Sequence, residues 1–197
     1  MQPAAVRSTL IDALLPAASL PVWARIALLA AAGSLLLTLS AKINVPFYPV
    51  PMTMQTFAVL VIGAAFGWRL GAATVLLYLA QGALGLPVFA GTPEKGIGLA
   101  YMMGPTGGYL VGFVVAAALV GWLAERGWGR SFLWLAAAMF IGHAVIFAYG
   151  MAWLASGIGL AKAWAVGVEP FYLATVFKTL LAAACIKAGW SAANLRD

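Results

Sequence analysis

One lysine stands inside an apolar segment near the end of the chain, VEPFYLATVFKTLLAAACIK, where it is costly to place. A cation at membrane depth costs several kcal/mol unless it is paired or faces a cavity. The five acidic residues of the chain all fall in termini, loops or segment ends, so none is placed to pair with Lys178. Phe171 and Thr175 lie seven and three positions earlier, on the same helical face. This face suits a small ligand with an acceptor or anionic group; the alternative is that Lys178 snorkels, or is uncharged, and bonds backbone carbonyls.

Other polar side chains occur inside apolar segments or at their ends. Thr53 and Gln55 open the second segment; Thr53 is a helix cap or a pocket contact, and Gln55 offers both a donor and an acceptor. His143, the sole histidine, is either a packed, hydrogen-bonded side chain or part of a pocket wall. With one histidine and one cysteine, the chain lacks the three or four ligands of a typical zinc site, and we expect no metal.

Composition indicates an integral membrane protein. Of the 197 residues, 64% are hydrophobic and 8% are charged, against about 25% charged in soluble domains. Segments approaching the ~20 apolar residues that a spanning helix needs lie near 22–41, 53–68, 70–86, 105–124, 131–155 and 170–188. They are apolar all round, which favours helices over membrane strands. We therefore predict an all-α bundle of six transmembrane helices, one domain over 1–197, in which 1–21 is a cytoplasmic or interfacial segment.

The distribution of positive charge predicts the orientation of the bundle. Six spans put both termini on one side, and a cytoplasmic placement of the termini satisfies the positive-inside rule. Seven basic residues then lie inside and three outside: Arg7, Arg25, Arg69, Arg126, Arg130, Lys187 and Arg196 against Lys42, Lys95 and Lys162. These residues sit singly at segment ends and form no patch, so we expect a multi-pass protein of the cytoplasmic membrane and no nucleic-acid partner.

The three outward connections are long and rich in glycine, proline and aromatic residues: NVPFYPVPMT, GLPVFAGTPEKGIGLAYMMGPTGG and SGIGLAKAWAVGVEP. Such loops are usually functional, and their apolar content argues against disorder. Irregular backbone near membrane depth persists only where it is buried in protein or lines a cavity. We predict an outward-facing pocket capped by these loops.

The first span carries small residues at a spacing of four, Ala27 with Ala31 and Ala30 with Ser34. Small residues at this spacing let helices approach closely. They serve either internal packing or docking of another membrane protein.

The segments VPMTMQTFAVLVIGAAFG, YLAQGALGLPVFAG and MGPTGGYLVGF, in this order, resemble the biotin-specific substrate-binding component, or S component, of energy-coupling-factor (ECF) vitamin transporters. The resemblance runs from about Ala24 to the end of the sixth span. It implies the six-helix S-component fold, with biotin bound tightly beneath the outer loops and no cofactor. It also implies partners, a transmembrane coupling component and two ATPases, toward which the alanine-rich first helix faces; self-association stays open.

The resemblance also implies roles for individual residues. In the family's sixth span an aspartate and a lysine one turn apart help to bind biotin; this chain keeps the lysine as Lys178 and has Thr175 where the aspartate would stand. On this basis Lys178 meets a polar group of biotin, with Gln55 and Thr175 as neutral partners, and Lys95 attracts the carboxylate. The aromatic walls expected around the ligand are Phe47, Tyr109 and Tyr149.

Three other functions agree less well with the sequence. An ion-coupled or facilitative secondary transporter, for a small organic anion or another vitamin, is the main alternative, although proton coupling normally uses intramembrane acids. An intramembrane enzyme is disfavoured because neither His143 nor Lys178 belongs to a nucleophile–base–orienter set. A structural membrane protein has little use for long aromatic loops or a buried lysine.

Overall fold

The computed structural model describes residues 9–15, 21–45 and 48–194, and most of them are helical. The elements are α1 (Leu10–Leu14), α2 (Val22–Lys42), β1 (Asn44–Val45), β2 (Met52–Thr53), α3 (Gln55–Ala83), α4 (Gly98–Met102), α5 (Gly107–Glu125), α6 (Phe132–Ile158), α7 (Leu160–Gly167) and α8 (Tyr172–Asn194). The connection 84–97, between α3 and α4, is called the cap loop.

Five helical stretches in the described part of the chain are long and apolar enough to cross a membrane. They are α2, α3, α5, α6 and the stretch Leu160–Asn194, which covers α7 and α8. The all-helical class and the membrane-spanning character predicted from composition are therefore confirmed.

The long helix α3 is a hairpin of two antiparallel arms. Gly67 interrupts it with φ 79° and ψ 174°, far from helical values. In one continuous helix Gln55 and Tyr78 would be about 35 Å apart, yet Gln55 Nε2 donates to the Tyr78 hydroxyl at 2.7 Å. The backbones of Gly63 and Gly71 also meet across the hairpin. The arms therefore run side by side, over the segments predicted at 53–68 and 70–86.

The centre of the bundle is held by close approach of backbones at small residues. Helix α5 packs between α3 and α6. A Cβ added at Gly63 would meet the backbone of Ala117, and one added at Gly112 would lie 3.0 Å from the Cα of Ile146. Since lipid tails are as apolar as leucine, such close van der Waals packing is a main source of helix association in a membrane.

Short elements lie at the end of the bundle where α2 ends and α3 begins. Strands β1 and β2 pair antiparallel, with Asn44 opposite Thr53, and so return the chain to the start of α3. The third outward connection, predicted as a loop, contains a helix, because Leu160–Gly167 forms α7. Gly159, with φ 81°, separates α6 from α7, and the alanine-rich segment between the two glycines favours a helical turn.

The opposite end carries several basic residues, among them Arg126 and Arg130. Arg126 lies over the ring of Trp122 at 3.5 Å and Arg130 over that of Trp190 at 3.8 Å. Helix α1 packs against α8 at this end, with Leu10 against Gly189. Its Thr9–Asp12 capping box is joined to α2 by an ion pair of 2.9 Å between Asp12 and Arg25.

We predict that Gly67→Ala destabilises the fold by about 1–3 kcal/mol, because alanine is strained in this backbone conformation and its Cβ would meet the Glu125 carboxylate. The expected fall in Tm of the detergent-purified protein is at least about 2–4 °C. Gly157→Ala is the control, since an added Cβ there meets nothing within 4 Å. Equal Tm values for the two variants would contradict the assigned role of Gly67.

Candidate functional site

A cavity lies beneath the cap, between α3, α5, α6 and α8. Its open volume is about 50 Å³. Polar atoms come from the start of α3 and from α8, and aromatic rings come from the cap loop, α4, α5 and α6. The lining residues are Val50, Pro51, Thr53, Gln55, Thr56, Phe89, Ala90, Tyr101, Thr106, Tyr109, Leu110, Phe113, Ile146, Phe147, Phe171, Thr175 and Lys178.

Lys178 is the one charged residue among the described residues that line this cavity. Its side chain is 7% exposed, and Nζ donates to the carbonyl oxygen of Thr53 at 2.7 Å. A backbone carbonyl therefore bonds this lysine, which is one part of the alternative to ligand contact that the sequence left open. Since the same side chain also lines the cavity, the carbonyl bond and ligand contact are compatible.

A hydrogen-bond chain runs from the cavity rim to the cap loop. Thr53 Oγ1 accepts from the backbone N–H of Gln55, the first residue of α3, at 3.2 Å, although the N-cap position itself is Met54. Gln55, 5% exposed, donates from Nε2 to the Tyr78 hydroxyl at 2.7 Å. Tyr78 in turn donates to the carbonyl of Val88 at 3.0 Å. The amide of Gln55 is therefore held by neighbours as well as facing the cavity.

Two threonines add hydroxyl groups to the cavity wall. Thr175 is 8% exposed and lies one turn from Lys178. Thr56 Oγ1 is buried without a hydrogen-bond partner among the described residues. Buried polar atoms are normally paired, so Thr56 is suited to meet a ligand atom. In the sequence, Thr56 is marked only by its position directly after Gln55 in MTMQTF, and it was not among the predicted site residues.

Aromatic side chains close the cavity. Tyr109 lines it and donates its hydroxyl to the carbonyl of Gly167 at 2.9 Å. Phe89, from the cap loop, is 1% exposed and stacks on Tyr101 with ring centroids 4.9 Å apart. Burial raises the pKa of Tyr101, so its hydroxyl stays protonated and continues to donate to the carbonyl of Ala90, 2.9 Å away.

Of the other predicted site residues, three do not line this cavity and one lies outside the described residues. Lys95 is exposed on the cap loop, and Tyr149 is 43% exposed on α6. Neither lines the cavity as the structure stands. Phe47 lies outside the described residues. His143 is the fourth and lies in a different cavity.

A second cavity, of about 470 Å³, opens on the side of the bundle between α6 and α8. His143 lies at its wall, 2% exposed, with Nδ1 3.0 Å from the Met139 carbonyl and 3.1 Å from Thr179 Oγ1. The rest of the lining is almost wholly apolar, and it shares only Phe147 and Thr175 with the first cavity. Of the two, the first cavity therefore offers the convergent polar groups of a binding site.

The small residues of α2 divide between two faces. Ala30 and Ser34 are buried, and the Ser34 hydroxyl donates to Gln81 Oε1 on α3. Ala27 and Ala31 are exposed. Ala30 and Ser34 therefore pack inside the bundle. Among the described residues, Ala27 and Ala31 lie on the surface, where another membrane protein can contact them.

Comparison with known proteins gives one consistent result. The model of the BioY family matches residues 10–195. The chain belongs to the BioY family. Its relatives include the "Probable biotin transporter BioY" of Pyrococcus horikoshii, 40% identical over 75% of this chain and 85% of that protein. The "Biotin transporter BioY" of Thermotoga maritima is 39% identical over the same shares.

A solved structure also matches. The crystal structure of the S-component for biotin from an ECF-type ABC transporter superposes with a TM-score of 0.75 at 21% identity. The match covers 86% of this chain and 94% of that one. The chain therefore has the S-component fold, as the resemblance in three of its segments predicted.

We predict that Thr56→Val raises the Tm of the ligand-free protein. Valine keeps the shape of threonine and removes a hydroxyl that is buried without a partner, an arrangement that costs about 1–3 kcal/mol. Thermal unfolding in detergent should therefore shift upward by at least about 2–4 °C.

The matched control is Thr74→Val, because the Thr74 hydroxyl donates to the Leu70 carbonyl at 2.8 Å and its loss should lower Tm. A lower Tm for Thr56→Val as well would show that the Thr56 hydroxyl is already satisfied.

Proposed function

We propose that this protein captures biotin at the outer face of the cytoplasmic membrane, as the substrate-specific S component of an ECF transporter. The observation that carries the proposal is the convergence of Lys178, Thr175, Thr56 and Gln55 on one cavity whose described lining contains no acidic residue. Family membership over residues 10–195 supports biotin as the ligand, because the curated relatives are named biotin transporters.

The topology belongs to the same proposal. Counting the two arms of α3 separately gives six transmembrane helices, with both termini in the cytoplasm. The basic end, with its Arg126–Trp122 and Arg130–Trp190 stacks, is then cytoplasmic, as the positive-inside rule requires. The cap and its cavity face outward, where biotin arrives.

The chemistry of biotin fits the groups in the cavity. Its ureido head has one acceptor and two donors, its fused rings are apolar, and its valerate ends in an anion. Lys178 would donate to an acceptor of the ligand, while Thr175 and Thr56 hydroxyls would exchange hydrogen bonds with the ureido group. Tyr109, Phe89 and Phe113 supply apolar surface for the rings. Lys95, exposed on the cap loop, would attract the carboxylate.

Biotin entry requires movement of the cap. The cavity holds about 50 Å³, less than the ~150 Å³ engineered cavity that takes up one benzene. The loops above the cavity must therefore part before a fused bicyclic ligand with an acyl chain can enter.

We predict nanomolar, saturable binding of biotin to the detergent-purified chain by calorimetry, and none of riboflavin or thiamine. Lys178→Ala should weaken binding by at least about tenfold, because a hydrogen bond from a charged donor is lost. Lys162→Ala, at an exposed lysine of α7, is the control. Equal affinities of both variants would remove Lys178 from the site, and absence of binding to the unchanged chain would refute biotin capture.

Energy coupling would come through partners, a transmembrane component and two ATPases, docked on the exposed Ala27 and Ala31 face of α2. We predict that Ala27→Leu with Ala31→Leu abolishes co-purification with a co-expressed ECF transmembrane component and leaves biotin affinity unchanged. The larger side chains would hold the two helices apart.

Ala184→Leu, at an exposed alanine of α8, is the matched control and should keep the complex intact. Retention of the complex by the double variant would move the docking surface elsewhere. Uptake that survives loss of cellular ATP but collapses with an uncoupler would instead favour the ion-coupled alternative.

A further inference from the structure

Three successive carbonyls of the cap loop are each held by a side chain from a different helix. The Val88 carbonyl accepts from Tyr78 of α3 at 3.0 Å. The Phe89 carbonyl accepts from Lys42 of α2 at 3.0 Å. The Ala90 carbonyl accepts from Tyr101 of α4 at 2.9 Å. The loop segment that covers the cavity is therefore fixed from three sides.

Lys42 makes the largest number of these contacts. Besides the Phe89 carbonyl, its Nζ donates to the Thr92 carbonyl at 3.0 Å and to Thr92 Oγ1 at 3.1 Å. All three donors of the ammonium group are thereby used on one loop. The Thr92 hydroxyl itself donates to the Phe89 carbonyl at 2.7 Å. Lys42 thus closes a small ring of hydrogen bonds across the turn 89–92.

What Lys42 holds in place is the aromatic lid of the cavity. Phe89 lines the cavity and lies between Tyr78, with ring centroids 5.4 Å apart, and Tyr101, with ring centroids 4.9 Å apart. The ring also fills the space above Gly82, where no side chain would fit. Lys42 itself does not line the cavity. Its effect on a ligand must therefore pass through the position of the cap loop.

We propose that Lys42 is a positioning residue that clamps the cap loop shut from the end of α2, and that it thereby sets the rates at which the ligand enters and leaves. The proposal rests on biotin capture as the proposed function only for the identity of the ligand. The bonds of the clamp are made within the protein and involve no ligand atom.

The clamp predicts a particular kinetic pattern. The bonds of Lys42 reach the loop and not the cavity, so loss of these bonds favours the open loop both with and without ligand. Association and dissociation should therefore accelerate together, and Kd should change little. A residue that touched the ligand would instead raise the dissociation rate and Kd in proportion.

The test uses Lys42→Met in the full chain, with two readouts. The first is hydrogen–deuterium exchange of the cap-loop amides in ligand-free protein, among them Val88, Thr92 and Lys95, which bond within the loop. The second is stopped-flow association and dissociation of biotin. We expect faster exchange in this loop, and an increase of about tenfold in both rate constants from the loss of charge-assisted hydrogen bonds, with Kd changed less than about threefold.

Lys162→Met is the matched control, because Lys162 is an exposed lysine of α7 that lies outside the cap loop and takes no part in the clamp bonds. Lys42→Arg, which keeps the charge and several donors, should restore rates close to those of the unchanged protein. If Lys42→Met does not fold, Thr92→Val removes one acceptor of the clamp and should show the same pattern more weakly.

Exchange and rates equal to those of Lys162→Met would overturn the clamp. So would a rise in Kd that matches the rise in dissociation rate, since Lys42 would then act on the ligand directly. If the unchanged protein takes up no biotin, biotin capture fails, while the exchange comparison in ligand-free protein still decides whether Lys42 holds the cap loop.

Discussion

The need to bond an amine at membrane depth organises the polar part of this molecule. Lys178 is buried beside a cavity without an acidic neighbour in the described lining, and such a group must find hydrogen-bond acceptors. It finds the Thr53 carbonyl, 125 positions earlier in the chain. One bond thus ties the last helix to the loop between α2 and α3. From Thr53 the contacts continue through Gln55 and Tyr78 to Val88, so the same network reaches the cap.

Much of the fold follows from sequence, because membrane helices are marked by length and apolar composition alone. The segments predicted at 22–41 and 105–124 lie over α2 and α5. Local signals served less well at the loops. Helix α7 was not predicted, because the glycines near both ends of SGIGLAKAWAVGVEP and the proline at its last position outweighed the alanines between them. The ribbon of β1 and β2 has two residues in each strand, too few to give a pattern.

The candidate site was only partly predictable for a related reason. Lys178, Thr175, Thr53, Gln55 and Tyr109 line one cavity, and each had a local signal, a polar or aromatic group in or beside an apolar segment. Contacts between distant segments have no such signal. Lys42 was counted only as an outward charge, Thr56 and Tyr78 are single polar residues within helices, and Phe89 becomes a lid only through pairing with Tyr78 and Tyr101.

Helix α2 joins two regions that transport must couple. The spanning window of α2 is 22% buried, against 61% for α5, so much of α2 faces away from the bundle. Its exposed face carries Ala27 and Ala31, its buried face bonds α3 through Ser34, and its last residue, Lys42, bonds the cap loop. A displacement of α2 relative to α3 would therefore act directly on the cover of the cavity, without a change in the central packing of α3, α5 and α6.

Thr175 gives the cavity wall one turn from Lys178 a hydroxyl and no negative charge. An acidic partner would neutralise a protonated Lys178, whereas the Thr53 carbonyl that bonds it carries no formal charge. An ammonium has three donors, and the Thr53 carbonyl takes one of them. Two donors remain for a ligand that enters beside Thr175. Lys178 can therefore donate to a ureido oxygen or a carboxylate and still hold the loop that forms the cavity rim. Ligand binding and closure of the site therefore do not compete for this amine.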